Sequence, residues 1–454
     1  MSRQPDSSEP AGRGLFAPVD ATSLAFFRIA FGVVMVWEVV RYFQHGWIVR
    51  YFVEPTFHFT YSGFHWVRPW PEAGMHAHFV GLGVCALAIA VGYRLRLAAS
   101  LFFVGFAYVF LLEKARYMNH FYLVMLLAGL LAVLPADRVW SWAARERDGQ
   151  ERGRSAPAWG LFLARTQIGL VYLFAGIAKL NADWLDAQPL VQWLGVREGH
   201  AVLGPLVSQA WAPMAFAYGG LALDLLAWPL LAYRRTRELT FLALCSFHVM
   251  NAMLFNIGIF PWLMIALTTI FFEPDWPRRL LGRIWRMSPG LRQLPESDTS
   301  PRTRRLVGAF LVVYLGFQFL FPLRHHLYPG NVSWTEEGHA FAWHMKLRTK
   351  RGEARFHVLN PVTDEEWIVD TTADLMPWQA SKMTGRPGMI LQYAHHLAEQ
   401  WEPELGGPVE VRAHVTSALN ARHPQLIVDP TVDLAQVRWG LGPSDWIVPL
   451  EGDD

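Results

Sequence analysis

Val171-Tyr-Leu-Phe-Ala-Gly-Ile-Ala-Lys179-Leu-Asn-Ala-Asp183-Trp184 contains the end of a 22-residue apolar run, Trp159 to Leu180, and that run closes on a lysine. Its length suits a helix crossing a bilayer. The chain holds 5 lysines against 35 arginines, and only Lys114 and Lys179 precede residue 345. Arginine keeps its proton under ordinary conditions, whereas a lysine desolvated by burial can become a neutral amine base. An ionisable group at membrane depth marks a candidate functional site. The competing reading is a lysine that snorkels from a helix end to the headgroups.

The rest of the composition fits a membrane chain. Hydrophobic residues make up 52% and charged residues only 17%, against about 25% charged in soluble domains. Nine apolar stretches read as membrane helices: 22–42, 74–93, 97–112, 118–134, 159–180, 210–233, 239–255, 258–272 and 306–323. Almost nothing joins the seventh and eighth, so a tight hairpin or a partly re-entrant pair is expected. The polar first twenty residues lack the charged-then-apolar pattern of a cleaved signal.

Loop charges orient the bundle. With a cytoplasmic amino terminus, the tail and the even-numbered connections hold 20 arginines, and the opposite side holds 6 basic residues. That asymmetry follows the positive-inside rule. Nine crossings then put everything after residue 323 outside the cytoplasm. The expected division is a cytoplasmic tail (1–21), a helical membrane domain (22–323) containing a cytoplasmic linker (273–305), and an extracytoplasmic β-rich domain (324–454). A net charge of +2 gives no sign of a nucleic-acid partner.

In the last part of the chain, charges rise and short strand-like stretches alternate with turns, at 341–347, 355–358, 366–369, 410–415 and 425–428. Residues 387–400 read as one amphipathic helix, with Ile390, Leu391, Tyr393, Ala394 and Leu397 at helical spacing. Both cysteines, Cys85 and Cys245, fall in expected helices and read as buried structural thiols. Nothing is spaced like zinc ligands.

Orientation brings polar residues to one depth on the outer side. Asn119 and His120 open the fourth helix, Lys179 ends the fifth, and His248 and Asn251 lie one turn apart in the outer half of the seventh. Asp224, near the middle of the sixth, reads as a structural partner for a hydroxyl, amide or cation. Taken singly, a membrane histidine is usually a helix–helix hydrogen bonder. Together, an amine, imidazoles and amides point to proton chemistry.

At these residues the chain resembles a family. Glu113-Lys-Ala-Arg-Tyr-Met-Asn119-His120, the Lys179 stretch, Phe247-His-Val-Met-Asn251, Phe255-Asn-Ile-Gly-Ile-Phe260 and Asp429-Pro-Thr-Val-Asp-Leu-Ala-Gln-Val-Arg-Trp439 are similar to vitamin K-dependent γ-glutamyl carboxylase. The resemblance spans nearly the whole chain. It implies oxygenation of reduced vitamin K (the hydroquinone) by O2 to its epoxide. The strong base so formed takes a γ proton from a protein glutamate, and CO2 adds to the carbanion. It also implies that Lys179 deprotonates the hydroquinone while His120, beside Asn119, orients the quinone oxygen and stabilises charge on it. His248 and Asn251 would help bind the cofactor, and region 334–350, with Trp343, would help seat the glutamate of a secreted substrate. The preference for arginine suggests a GC-rich bacterial genome, with menaquinol as the natural cofactor and the inner membrane as the location.

The chain departs from animal members at several points. They carry a second lysine where Ala178 stands, and a disulfide to the outer domain that this chain lacks. It ends at Asp454 without their long extension, which puts propeptide recognition in doubt. Two other readings stay open. One is a quinol oxygenase without glutamate carboxylation; the other is a non-enzymatic quinone-binding or proton-coupled membrane carrier. The topology is testable by cysteine labelling from outside in a cysteine-free background. A site at Glu451 should label and one at Ser288 should not; the reverse pattern would show that the helix count has the wrong parity.

Overall fold

The computed structural model describes residues 14–145, 155–285, 300–440 and 442–452. Residues 1–13 of the expected tail and 286–299 of the expected linker lie outside the described residues. Each of the nine apolar stretches overlaps a helix: α1 (Thr22–Gln44), α2 (Glu72–Val91), α3 (Leu95–Leu112), α4 (Asn119–Val133), α5 (Ala158–Ile177), and, after the short α6 (Ala182–Leu185) and α7 (Gln188–Gly195), α8 (Ala212–Ala232), α9 (Arg237–Leu254), α10 (Phe260–Thr268) and, later, α12 (Pro301–Leu320). The linker holds a further helix, α11 (Trp276–Trp285).

Among the described residues, six helices are long and apolar enough to cross a bilayer: α1, α2, α3, α5, α8 and the span 301–327 that begins with α12. The 15 residues of α4 extend only about 22 Å, short of a hydrocarbon core of about 30 Å. The apolar helix from Phe260 to Phe271 is shorter still. By length and composition alone, six of the nine stretches qualify as crossings among the described residues. Five residues separate α9 from α10, and Gly258 turns among them in the left-handed region at φ 61.

Small residues let the helices approach. A Cβ on Gly32 of α1 would lie 2.6 Å from Ala90 N of α2, and one on Gly176 of α5 would lie 2.7 Å from Leu225 N of α8. Such positions are the usual close-contact points of membrane helices. One turn before Gly32 on α1, Arg28 is fully buried. Its Nε donates to Ala136 O (3.0 Å), Nη1 to Ile89 O (2.7 Å) and Ala90 O (2.6 Å), and Nη2 to Trp140 O (2.6 Å). One planar fork thus satisfies carbonyls at the end of α2 and in the turn after α4.

The C-terminal part carries a four-stranded antiparallel sheet in the order β4-β3-β5-β6. Its strands here are β3 (Lys350–Leu359), β4 (Glu366–Val369), β5 (Glu410–Leu419) and β6 (Gln425–Leu426), numbered after the small β1 (Pro18–Asp20) and β2 (Ser155–Pro157) pair. The long β3–β5 ladder pairs Lys350 with Leu419 through to Leu359 with Glu410. Side chains alternate across a strand, so Val411, Ala413 and Val415 share one buried face. The expected amphipathic helix forms as α14 (Pro387–Leu405), after α13 (Pro377–Met383), and buries Ile390, Tyr393, Ala394 and Leu397 in the same core.

One expected strand is absent. Residues 341–347 form turns, with Phe341, Trp343 and Lys346 at positive φ (62, 61 and 51). Such backbone is costly outside glycine and persists only where surrounding contacts over-determine it. Here those contacts come from the bundle: the Phe341 ring lies 5.3 Å from Tyr117 and 5.0 Å from Tyr122, and Trp343 lies 5.1 Å from Tyr122. The aromatic alternation that reads as a strand is a finger inserted among helices. The cysteines also differ from expectation, since Cys85 and Cys245 are free and partly exposed rather than buried.

The arginine clamp predicts its own test. Arg28→Leu strands several buried carbonyls at about 1–3 kcal/mol each, so the unfolding midpoint in detergent should fall sharply. Arg28→Lys, which lacks the fork, should recover little. An unchanged midpoint for Arg28→Leu would refute the clamp.

Candidate active site

The close approach at Gly176 sets the site. Three residues beyond it stands Lys179, and beside Leu225 on α8 stands Asp224. The Lys179 Nζ donates to Asp224 Oδ2 at 2.6 Å and to Ala175 O at 3.1 Å, and it lies 5.2 Å over the Trp184 ring. Lys179 is 5% exposed and Asp224 4%. The lysine turns inward instead of snorkelling to the headgroups, and Asp224 partners a cation.

A cavity of about 270 Å³ opens beside this pair. It brings together Lys179, Asn119, His120, His248 and Asn251, residues that span 133 positions of sequence. Aromatic and apolar walls come from Trp184, Phe247, Phe255, Phe260 and Met264. The ring of Phe260 sits 6.0 Å from His120 and 5.9 Å from His248. The His248 Nε2 shares a hydrogen bond with the Tyr172 hydroxyl (2.9 Å), which also meets Thr268 Oγ1 (3.0 Å). Its Nδ1 is buried without a partner among the described residues. Gly258 carries the chain past His120 and Arg41: a Cβ there would lie 3.8 Å from His120 Nε2 and 3.5 Å from Arg41 Nη1. An apolar cavity with a few convergent polar groups is the usual form of a small-molecule site.

Asn119 is partly engaged by the protein itself. Its Nδ2 donates to His344 O at 3.0 Å, and its Oδ1 accepts from the Tyr117 hydroxyl at 2.9 Å. The same hydroxyl accepts from Phe341 N at 2.6 Å. Asn119 therefore lines the cavity and ties down the aromatic finger. Trp343 is fully buried against Tyr122 and is not among the cavity-lining residues, whereas Met345 and Lys346 of the same segment are.

The other four lysines gather where this segment meets the sheet domain. Lys346 lines the cavity, with its Nζ 4.4 Å over the Trp193 ring. Lys350 Nζ donates to Trp334 O (2.5 Å), Gly385 O (2.7 Å) and Glu336 Oε1 (3.2 Å). Arg348 also donates to Glu336, and Arg386 donates to Lys114 O and Ala115 O (both 3.3 Å). Burial, then Arg386 and Arg348, brings Lys382 down to about 8. Burial brings Lys350 down to about 7 against the opposing pull of Glu336, and burial with Arg386 brings Lys114 to about 8. Burial disfavours ionised Glu336, yet Arg348, Lys350 and Arg386 together outweigh it and hold its carboxyl below the usual range. The seam carries more cationic groups than Glu336 can neutralise. Among the described residues, no group of three or more histidine, cysteine or acidic side chains is placed to hold a metal ion.

Two family models match the chain. The HTTM domain matches residues 16–276, and the vitamin K-dependent gamma-carboxylase, lumenal domain, matches residues 303–453. The chain belongs to the vitamin K-dependent gamma-carboxylase family. No solved structure matches it. With the six apolar helices, the HTTM match makes this family member a multi-pass membrane protein.

Several groups that shape the site escape a sequence reading. Tyr172 and Thr268 are common helix residues, and nothing in their spacing links them to His248. Gly176 is one of 36 glycines, and its role emerges only when α8 lies against it. The lysine seam did carry a signal, since four of the five lysines converge there, but their distances in sequence conceal it. The buried pair predicts a stability pattern. Lys179→Met alone leaves a buried carboxylate unpaired and should cost about 3–5 kcal/mol. Adding Asp224→Leu should recover much of that loss, read as the detergent unfolding midpoint. A double variant less stable than Lys179→Met would contradict a coupled pair.

Proposed function

We propose that the protein is an integral-membrane vitamin K hydroquinone epoxidase coupled to γ-carboxylation of glutamate in a secreted protein or peptide. The observation that carries this reading is the single cavity shared by Lys179, His120 and Asn119. Reduced vitamin K, with menaquinol as the bacterial form, supplies the reaction with O2 that generates a base strong enough to act on glutamate, and CO2 is the second gas consumed. The cavity suits the flat ring system, with aromatic walls for its faces and His120, Asn119 and the buried His248 Nδ1 for its oxygens.

Lys179 takes the hydroxyl proton. An ammonium has no lone pair, so the proton shared with Asp224 then lies on Oδ2, a short shift within a 2.6 Å contact. His120 makes no hydrogen bond to another described residue, and its ring is left to meet a quinone oxygen. The apolar walls exclude water from that oxygen. A protein glutamate comes from the seam side, because a charged chain does not enter from lipid. Lys346 at the cavity and Lys382 nearby offer positive charge to its carboxylate. We place that side outside the cytoplasm, with nine crossings and the amino terminus inside, on the loop-charge asymmetry.

Lys179→Arg keeps charge and length but holds its proton, so epoxide formation should be abolished in correctly folded protein. Wild-type epoxide yield in that variant would sink the assignment. His120→Ala should cost roughly 100-fold or more in kcat, the usual scale for a group that stabilises an oxyanion. The seam predicts a pH effect on the peptide alone. Lys382, at about 8, is charged below that value and loses charge above it. The KM for a glutamyl peptide should therefore rise with pH between about 7 and 9, while the KM for the quinol stays flat. A peptide KM that falls over that range would contradict the role of the seam.

A further inference from the structure

Four residues past Lys179, Asp183 is held by the sheet domain. Arg422 grips it with both ends of its fork, Nη1 to Oδ2 and Nη2 to Oδ1, each at 2.7 Å. Asn420 Nδ2 adds a third bond to Oδ2 at 2.5 Å. Asn420 sits at the end of β5 in the left-handed region (φ 53) and is itself fixed by Thr349. Thr349 N donates to Asn420 Oδ1 at 3.0 Å, and Asn420 N donates to Thr349 O at 2.9 Å. Thr349 lies in the segment that carries Lys346 and Lys350, and its Oγ1 accepts from Trp193 Nε1 at 2.7 Å.

On its other side Asp183 belongs to α6, the turn that follows the lysine. Asn181 caps this turn: its Oδ1 accepts from Trp184 N at 3.0 Å, and its Nδ2 donates to Ala178 O at 2.8 Å. Trp184 is buried, donates from Nε1 to Ala217 O at 2.9 Å, and presents its ring 5.2 Å from Lys179 Nζ. The connection therefore runs from the sheet domain by hydrogen bonds to Asp183, along the chain to Trp184, and from its ring, 5.2 Å away, to the amine.

We propose that Asp183, clamped by Arg422 and Asn420, is a positioning residue for Lys179. This rests on the reading of Lys179 as the base, and it adds that the sheet domain, not the membrane bundle alone, sets where the amine points. Arg422 is 32% and Asp183 12% exposed, so with solvent reaching one partner the pair contributes less to stability than a fully buried one. Bidentate geometry nevertheless fixes direction as well as distance. Loss of the clamp thus acts on placement more than on folding.

The test uses the full chain in detergent or nanodiscs. Variants are Arg422→Gln, which breaks the fork, Arg422→Lys, which keeps charge without it, and the exchange Asp183→Arg with Arg422→Asp. The first readout needs no quinone: acylation of Lys179 by a small amine-reactive activated ester, followed by mass spectrometry with the remaining lysines as internal reference. The second is epoxide formation with reduced menaquinone. Arg422→Gln should change the Lys179 acylation rate by about threefold or more and lower kcat about tenfold at unchanged quinol KM, because small misplacements at a reacting group are costly. Arg422→Lys should be intermediate, and the exchange should restore both readouts toward wild type. Wild-type acylation and kcat in Arg422→Gln would overturn the proposal. So would an equal fall in the reactivity of every lysine, which would mark general unfolding. A wild type that forms no epoxide would defeat the functional reading, while the acylation arm would still decide the clamp.

Discussion

An ammonium and a carboxylate buried together at 2.6 Å, between two helices that meet at a glycine, set the terms for the rest of this structure. Desolvating two charges costs several kcal/mol each, and only close geometry with further hydrogen bonds compensates for it. Lys179 and Asp224 have that geometry because Gly176 carries no side chain where α8 passes. The same contact places an amine at the edge of an apolar cavity. Under the proposed mechanism, stability and chemistry compete for one proton. An ion pair that were only structural would need no cavity beside it, and replacement by apolar residues would suit it as well.

The second constraint is the finger at 341–346. Its backbone adopts conformations that non-glycine residues avoid, and aromatic contacts with Tyr117 and Tyr122 hold it there. Asn119 bonds its carbonyl at His344 while also lining the cavity. The sheet domain thus forms part of the cavity wall through Met345 and Lys346 and grips the turn after Lys179 through Arg422. Such doubly anchored walls suit the proposed meeting of a membrane-borne reductant and an aqueous peptide.

How much of this was legible beforehand depended on the range of the interaction. The helices were readable because an apolar run of membrane length is a local property, and α14 because its apolar spacing is local too. Lys179 stood out because lysine is rare here, and orientation placed it at one depth with Asn119, His120, His248 and Asn251. Its pairing with Asp224 was not readable, since a mid-helix acid 45 positions away can meet any cation, hydroxyl or amide. The segment at 341–347 misled because alternating aromatics serve a strand and an inserted turn equally well; only the positive φ angles separate the two. Trp343, expected to help seat the glutamate, packs against Tyr122, two residues from a side chain that lines the cavity.

The most direct measurement is the ratio of two products from the purified wild-type protein. Reduced menaquinone, oxygen, labelled carbon dioxide and a glutamyl peptide are supplied together, and epoxide and fixed label are counted in the same samples. The account predicts that both accumulate, that removal of oxygen stops both, and that removal of the peptide stops only label fixation. Label fixed into peptide without epoxide would contradict it.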